Sequence, residues 1–126
     1  MKMKSKKAIT LLVLTTLLMA LIPIMPVSAA TITVGSDGDD YTTITLAIAG
    51  AIAGDTIVVD DGPYTEDLTI DKSLTLEASG AVTIIGNHKI LASDVTIDGF
   101  TLKETADFRI IWVDSSGSAI DGVTIT

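Results

Sequence analysis

From residue 32 onward one motif punctuates the chain: an apolar residue, a threonine and a second apolar residue. It occurs as Ile32-Thr33-Val34, Leu68-Thr69-Ile70, Leu74-Thr75-Leu76, Val82-Thr83-Ile84, Val95-Thr96-Ile97, Phe100-Thr101-Leu102 and Val123-Thr124-Ile125. Alternation at a period of two, rich in β-branched residues, predicts short strands with the aliphatic side inward and threonine outward. Ile57-Val58-Val59 and Ile111-Trp112-Val113 join as looser members. Starts at 32, 57, 82 and 111 define a first column. Starts at 68, 95 and about 118 define a second, and starts at 74, 100 and 123 a third. The most literal repeat sets Ile97-Asp98-Gly99-Phe100-Thr101-Leu102 against Ile120-Asp121-Gly122-Val123-Thr124-Ile125. Three short strands recurring at a period of roughly 25 residues predict an all-β, three-faced solenoid of about three coils, each column a parallel sheet.

Thr42 to Ala53 breaks the pattern. Its apolar residues at 44, 47, 48, 51 and 52 have helical spacing, although Ile44-Thr45-Leu46 also fits the strand triplet. Thr42 or Thr43 supplies an N-cap and Gly54 a stop, while Gly50 inside it costs about 1 kcal/mol relative to Ala. The other two columns are empty between strands 32 and 57. A helix at about 42–53 is therefore expected to close the first coil, since an uncovered end exposes apolar side chains and unpaired backbone.

The first 30 residues belong to a different chemistry. Met1 to Lys7 is basic, Ala8 to Ile22 is apolar apart from three threonines, Pro23 and Pro26 break any helix, and Val27-Ser28-Ala29 supplies small residues. That is the layout of a secretory signal peptide cut after Ala29 or Ala30. The domains are then 1–30, signal peptide, and 31–126, the N-terminal cap and first coils of the solenoid. The apolar core is shorter than the roughly 20 residues of a spanning helix, and no second apolar stretch reaches that length. The expected location is secreted, extracellular or cell-envelope, with no membrane span after cleavage.

Several residues carry the resemblance that follows. They are Tyr41-Thr42-Thr43-Ile44, Gly54-Asp55-Thr56-Ile57-Val58-Val59, Gly62-Pro63-Tyr64-Thr65-Glu66, Ile70-Asp71-Lys72-Ser73-Leu74-Thr75-Leu76 and Val95-Thr96-Ile97-Asp98-Gly99-Phe100. On these the chain resembles right-handed parallel β-helix repeat proteins of the pectin-lyase-like type, most of all the N-terminal portion of prokaryotic cell-surface and periplasmic members. The resemblance spans about 32 to 126 and implies the fold. It leaves function open, because such segments begin enzymes, adhesins and plain surface proteins alike. Thr126 follows directly on a predicted inward Ile125 with no second cap. This suggests either further coils in a longer chain or end-to-end self-association.

Charge narrows the partners. All sixteen acidic residues lie beyond residue 30, with only Lys72, Lys89, Lys103 and Arg109 to offset them, a net charge of −12 for that part. A polyanion of this size is not expected to bind nucleic acid. The absence of Cys removes disulfides, thiolate metal sites and Cys nucleophiles. No zinc-protease, P-loop or dinucleotide motif is present, and no complete active site or catalytic residue is assigned.

The candidate contacts for a cell-surface or extracellular polysaccharide are Tyr64, Glu66 and Trp112. Gly62-Pro63-Tyr64-Thr65-Glu66 resembles a G-x-Y-x-E element near the start of pectin methylesterases, while Pro63 and Gly62 equally well shape a plain turn. Trp112 stands outward above Thr83 if Ile111 and Val113 point inward, and in the core if the register slips by one. His88, the sole His, reads as a surface turn residue. Tyr64, Glu66, Asn87, His88 and Asp114 are candidates for one loop patch. Asp71, Asp98 and Asp121 read as one turn repeated on successive coils. Such a ladder, or the loop Ser36-Asp37-Gly38-Asp39-Asp40, would attract Ca²⁺, but too few oxygens are in sight to assign a metal or cofactor.

Three functions stay open. The chain is a structural or carbohydrate-contacting surface module, the first part of a polysaccharide-processing enzyme of pectin lyase or pectinesterase type with its active site beyond Thr126, or an adhesin or filament unit.

Overall fold

The structure, a computed structural model, describes residues 27–103, 111–113, 119–121 and 124–125. The predicted signal segment up to residue 26 and Asp114 lie outside them. Strands are β1 Thr31–Val34, β2 Thr56–Val59, β3 Gly62–Thr65, β4 Thr69–Ile70, β5 Thr75–Ala78, β6 Val82–Ile85 and β7 His88–Ile90. They continue as β8 Thr96–Asp98, β9 Thr101–Lys103, β10 Ile111–Val113, β11 Ala119–Asp121 and β12 Thr124–Ile125. One helix, α1 Ile44–Gly50, is found among the described residues.

Every strand pair is parallel. The first sheet runs β1-β2-β5-β8-β11, the second β3-β6-β9-β12 and the third β4-β7-β10. Consecutive strands therefore visit the three sheets in turn: β2, β3, β4, then β5, β6, β7, then β8, β9, β10. The fold is mostly β and parallel, as the triplets predict.

The triplets also give the correct sides. Leu68, Ile70, Leu74, Leu76, Val82, Ile84, Val95, Ile97, Phe100 and Leu102 are buried, and no threonine between them is. In the first sheet Ile32, Ile57, Leu76 and Ile97 stand in register, with Thr31, Thr56, Thr75 and Thr96 as a second column. Like stacks on like, so each circuit shields the aliphatic residues of the next. Burying one such side chain is worth about 1.5–3 kcal/mol.

The columns differ from those expected. Ile57 pairs with Leu76, not Val82, and Leu76 with Ile97. Val82 belongs to the second sheet, opposite Gly62, and Ile111 to the third, opposite His88. Leu68 and Val95, read as one column, adjoin strands of the third and first sheets, and Leu74 adjoins the first rather than the sheet of Phe100. The physical reason is that the triplets at 68 and 74 lead into the third and first sheets whereas those at 95 and 100 lead into the first and second, so similar spacing marks different corners. Meanwhile β3 and β7 carry other residues, Gly-Pro-Tyr-Thr and His-Lys-Ile. Of the literal repeat, Ile120-Asp121 pairs with Ile97-Asp98 and Thr124-Ile125 with Thr101-Leu102, in register as read.

The helix is shorter than predicted at its C-terminus. Thr43 is the N-cap, its hydroxyl accepting from the Leu46 N–H at 3.3 Å, and Ala51 is the C-cap. Ile44, Ala47 and Ile48 are buried, whereas Leu46 and Ile52 stay about half exposed, so helical spacing wins over the strand triplet at 44–46. Two later side chains hold its ends. The Glu66 carboxylate, just after β3, accepts from the N–H of Ile44 at 3.1 Å, the N–H of Thr45 at 2.9 Å and the Thr45 hydroxyl at 2.6 Å. The Lys72 ammonium, just after β4, donates to the carbonyls of Ile48 at 2.9 Å and Ala51 at 3.2 Å. Negative charge at the N-terminus and positive at the C-terminus oppose the helix dipole at both ends and satisfy groups no helix can satisfy alone. Gly50 is required for closeness: a Cβ there would collide with the Tyr41 hydroxyl.

Candidate functional site

A cluster of acidic side chains sits at the corner between β2 and β3. Asp60 and Asp61 follow β2, the loop after β1 brings Ser36, Asp37 and Asp39 alongside, and Ser79 follows β5. Together they line a cleft of about 460 Å³. A second cleft of about 400 Å³ shares Ser36 and Asp61 and is bounded by Gly35, Thr42, Gly62, Pro63 and Tyr64. Hydrogen bonds tie the corner to the next circuit. Ser79 Oγ donates to Asp60 Oδ1 at 2.8 Å, and the Ala81 N–H donates to Asp61 Oδ1 at 2.7 Å. Neither cleft is lined by a cation.

Tyr64 occupies the register of the inward residues Ile84 and Leu102. It is half-buried at the end of that column, packed on the core, with its hydroxyl donating to the Asp60 carbonyl at 3.1 Å. Burial first, then the charges of Asp60, Asp39, Glu66 and Asp61, push its phenol above the usual tyrosine range. It therefore stays a neutral donor across physiological pH. Glu66 is two residues away, but its carboxylate is engaged by the helix N-terminus. Trp112 is on β10 in the third sheet, opposite Lys89 rather than Thr83, and 46% exposed. Of the two registers left open, Trp112 takes the exposed one, although Val113 is exposed as well; its neighbour is Lys89, and it does not join Tyr64.

His88 departs from its expected surface turn. It is buried in β7, and its Nδ1 accepts from the Leu68 N–H at 3.4 Å. The proton then resides on Nε2, which has no hydrogen-bond partner among the described residues. Burial pushes its pKa down, against a smaller upward pull from Asp67. The acidic ladder is also different. Glu77, Asp98 and Asp121 pair in register along the first sheet, while Asp71 lies in another corner beside Lys72. No group of three or more His, Cys, Asp or Glu among the described residues is disposed to hold a metal ion.

Nothing in the sequence singles out Asp55. It is 3% exposed, and its carboxylate accepts from the Ala30 N–H and the Ile52 N–H, each at 2.8 Å. Those two bonds, Ala30 first, hold its pKa below the ordinary value against desolvation. In sequence it is one acid after a glycine in a turn, with no signal that its partner lies 25 positions away. Asp60 and Asp61 were equally hidden, since acids before Gly-Pro read as turn chemistry.

Comparison with known proteins finds no matching family model, no matching curated protein and no matching solved structure.

Proposed function

We propose that the chain is an exported right-handed parallel β-helix, a three-faced solenoid whose first coil is closed by α1. In this reading it works in the extracellular space or cell envelope as a structural module that contacts polysaccharide at the β2–β3 corner. Three parallel sheets visited in turn, aliphatic residues stacked in register and threonine outside support the solenoid. The observation that carries the contact is the pair of clefts sharing Ser36 and Asp61, one bearing Asp37, Asp39 and Asp60 and the other the Tyr64 ring.

The chemistry selects the ligand. Carboxylates accept hydrogen bonds from sugar hydroxyls, and a charged acceptor makes the stronger bond. A phenol ring edge offers apolar contact to the C–H face of a pyranose. Four carboxylates without a lining cation repel polyuronates, so the ligand is a neutral polysaccharide rather than a pectate-like one. This also weakens the reading as a pectin-processing enzyme at this corner.

Affinity electrophoresis tests it. A neutral glucan cast in the gel should retard the protein, polygalacturonate should not, and the Asp37→Asn/Asp39→Asn variant should lose most of the retardation. Equal migration with and without neutral glucan, or retardation by polygalacturonate alone, contradicts the proposal.

A further inference from the structure

The buried Asp55 carboxylate has a partner whose chemistry changes if the leader is removed. Ala30 precedes β1, and its N–H donates to Asp55 Oδ1 at 2.8 Å. The Ala30 carbonyl accepts from the Thr56 N–H at 2.9 Å, which extends the β1–β2 pairing by one bond. Val27 to Ala30, in contrast, is exposed and in no secondary structure, with Val27 75% exposed. Anchored structure thus begins at the nitrogen of Ala30, one bond after Ala29, the last of the small residues in Val27-Ser28-Ala29.

We propose that Ala30 is the N-terminus of the processed protein and that Asp55 is a built receptor for its α-ammonium group. The inference rests on the export reading above. Hydrolysis by a signal peptidase breaks the Ala29–Ala30 C–N bond. Water delivers hydroxyl to the Ala29 carbonyl carbon and a proton to the Ala30 nitrogen. The new carboxylic acid gives up its proton and the new amine takes one, leaving a carboxylate on the departing leader and an ammonium on Ala30. The amide-to-carboxylate hydrogen bond becomes an ammonium-to-carboxylate bond at the same place, the stronger class of contact. Cleavage one residue later has the opposite effect. It removes the donor from a buried Asp55 oxygen and the acceptor from Thr56, and a buried charge stripped of a partner is costly. The pair joins the first strand to the turn that ends α1, because the same carboxylate accepts from Ile52. Processing would therefore tighten the end of the molecule at which the chain enters.

The other charged groups at this corner are Lys72, engaged by the Ile48 and Ala51 carbonyls, and Asp71, paired with Lys72 at 3.8 Å; Asp94 lies further along the stack, its main-chain carbonyl accepting from Ser73 Oγ. A carboxylate in contact raises the pKa of an ammonium. The contribution is complete below the unfolded α-amino value of about 7.7–8.0 and is lost as pH rises through the higher folded value.

The full chain, expressed in a secreting bacterial host, supplies the test. Intact mass and N-terminal sequencing of the exported product should show Ala30 first. A start at Thr31 or later overturns the proposal and leaves export standing. A product that keeps its leader overturns both. In the processed protein, a ¹³C-methylated α-amine should titrate at least one pH unit above the free-peptide range and return to that range in Asp55→Asn. If Asp55→Asn does not fold, the wild-type titration decides alone, and an unshifted amine overturns the proposal.

Discussion

Glu66 and His88 show how much a single side chain does here. Glu66 was a candidate sugar contact, yet both its oxygens serve the first turn of α1. Glu66→Ala should cost about 1–2 kcal/mol in urea unfolding, the range of a lost charged hydrogen bond or cap. The exposed neighbour Thr65 should cost within about 0.5 kcal/mol on the same substitution. His88 and Asp55 make the fold acid-sensitive in two windows. Both have folded pKa values below their unfolded ones, so the unfolded chain takes up protons first. The His88 contribution is intact above about pH 6.5 and is lost as pH falls through its lower folded value. The Asp55 contribution is intact above about pH 3.9 and disappears below that. Melting temperature followed from pH 8 to pH 3 should fall in those two steps. His88→Phe should remove the upper one and leave the lower.

At the scale of elements, α1 and the strands differ in what a sequence can reveal. Gly50→Ala should stabilise an ordinary helix by about 1 kcal/mol. Here it should destabilise, because the Tyr41 hydroxyl fills the space a methyl group needs. Thermal melts of the variant check the sign. Nothing local announces that contact, whereas Thr43 and the spacing of Ile44, Ala47 and Ile48 announce the helix itself. The strands were legible for a similar reason: period two and β-branching are local, and they gave the buried and exposed sides correctly. Pairing is not local. Leu76 could stack on any triplet, and circuit length decides among them. Pro63 and His88 disguise two of the strands that set that length, so the triplets alone imply a period about five residues longer than the circuits from β2 to β5, β3 to β6 and β4 to β7. Leu76→Ala, at a fully buried position between Ile57 and Ile97, should cost about 2–5 kcal/mol.

For the whole molecule, stability is a property of stacking rather than of any one circuit. Each circuit buries its aliphatic residues against the next, so β2, β5 and β8 depend on one another, and damage in one should spread to its neighbours. The acidic corner is a product of the same stacking. Asp37 and Asp39 come from the loop after β1, Asp60 and Asp61 from just after β2, and Ser79 from just after β5. Their convergence was invisible until the register of β1, β2 and β5 was known. The loop 36–40 was noticed in the sequence for its charge alone.

The register is also where the account is most directly exposed to test. Nuclear Overhauser contacts between backbone amide and Cα protons, measured on labelled protein, report which strands adjoin and in which direction. Contacts should link Thr56 to Thr75 and Thr75 to Thr96 in the parallel pattern. Close Cα-proton pairs across those strands, the mark of antiparallel neighbours, would contradict it. So would Thr56 adjoining the 81–83 segment in place of Thr75.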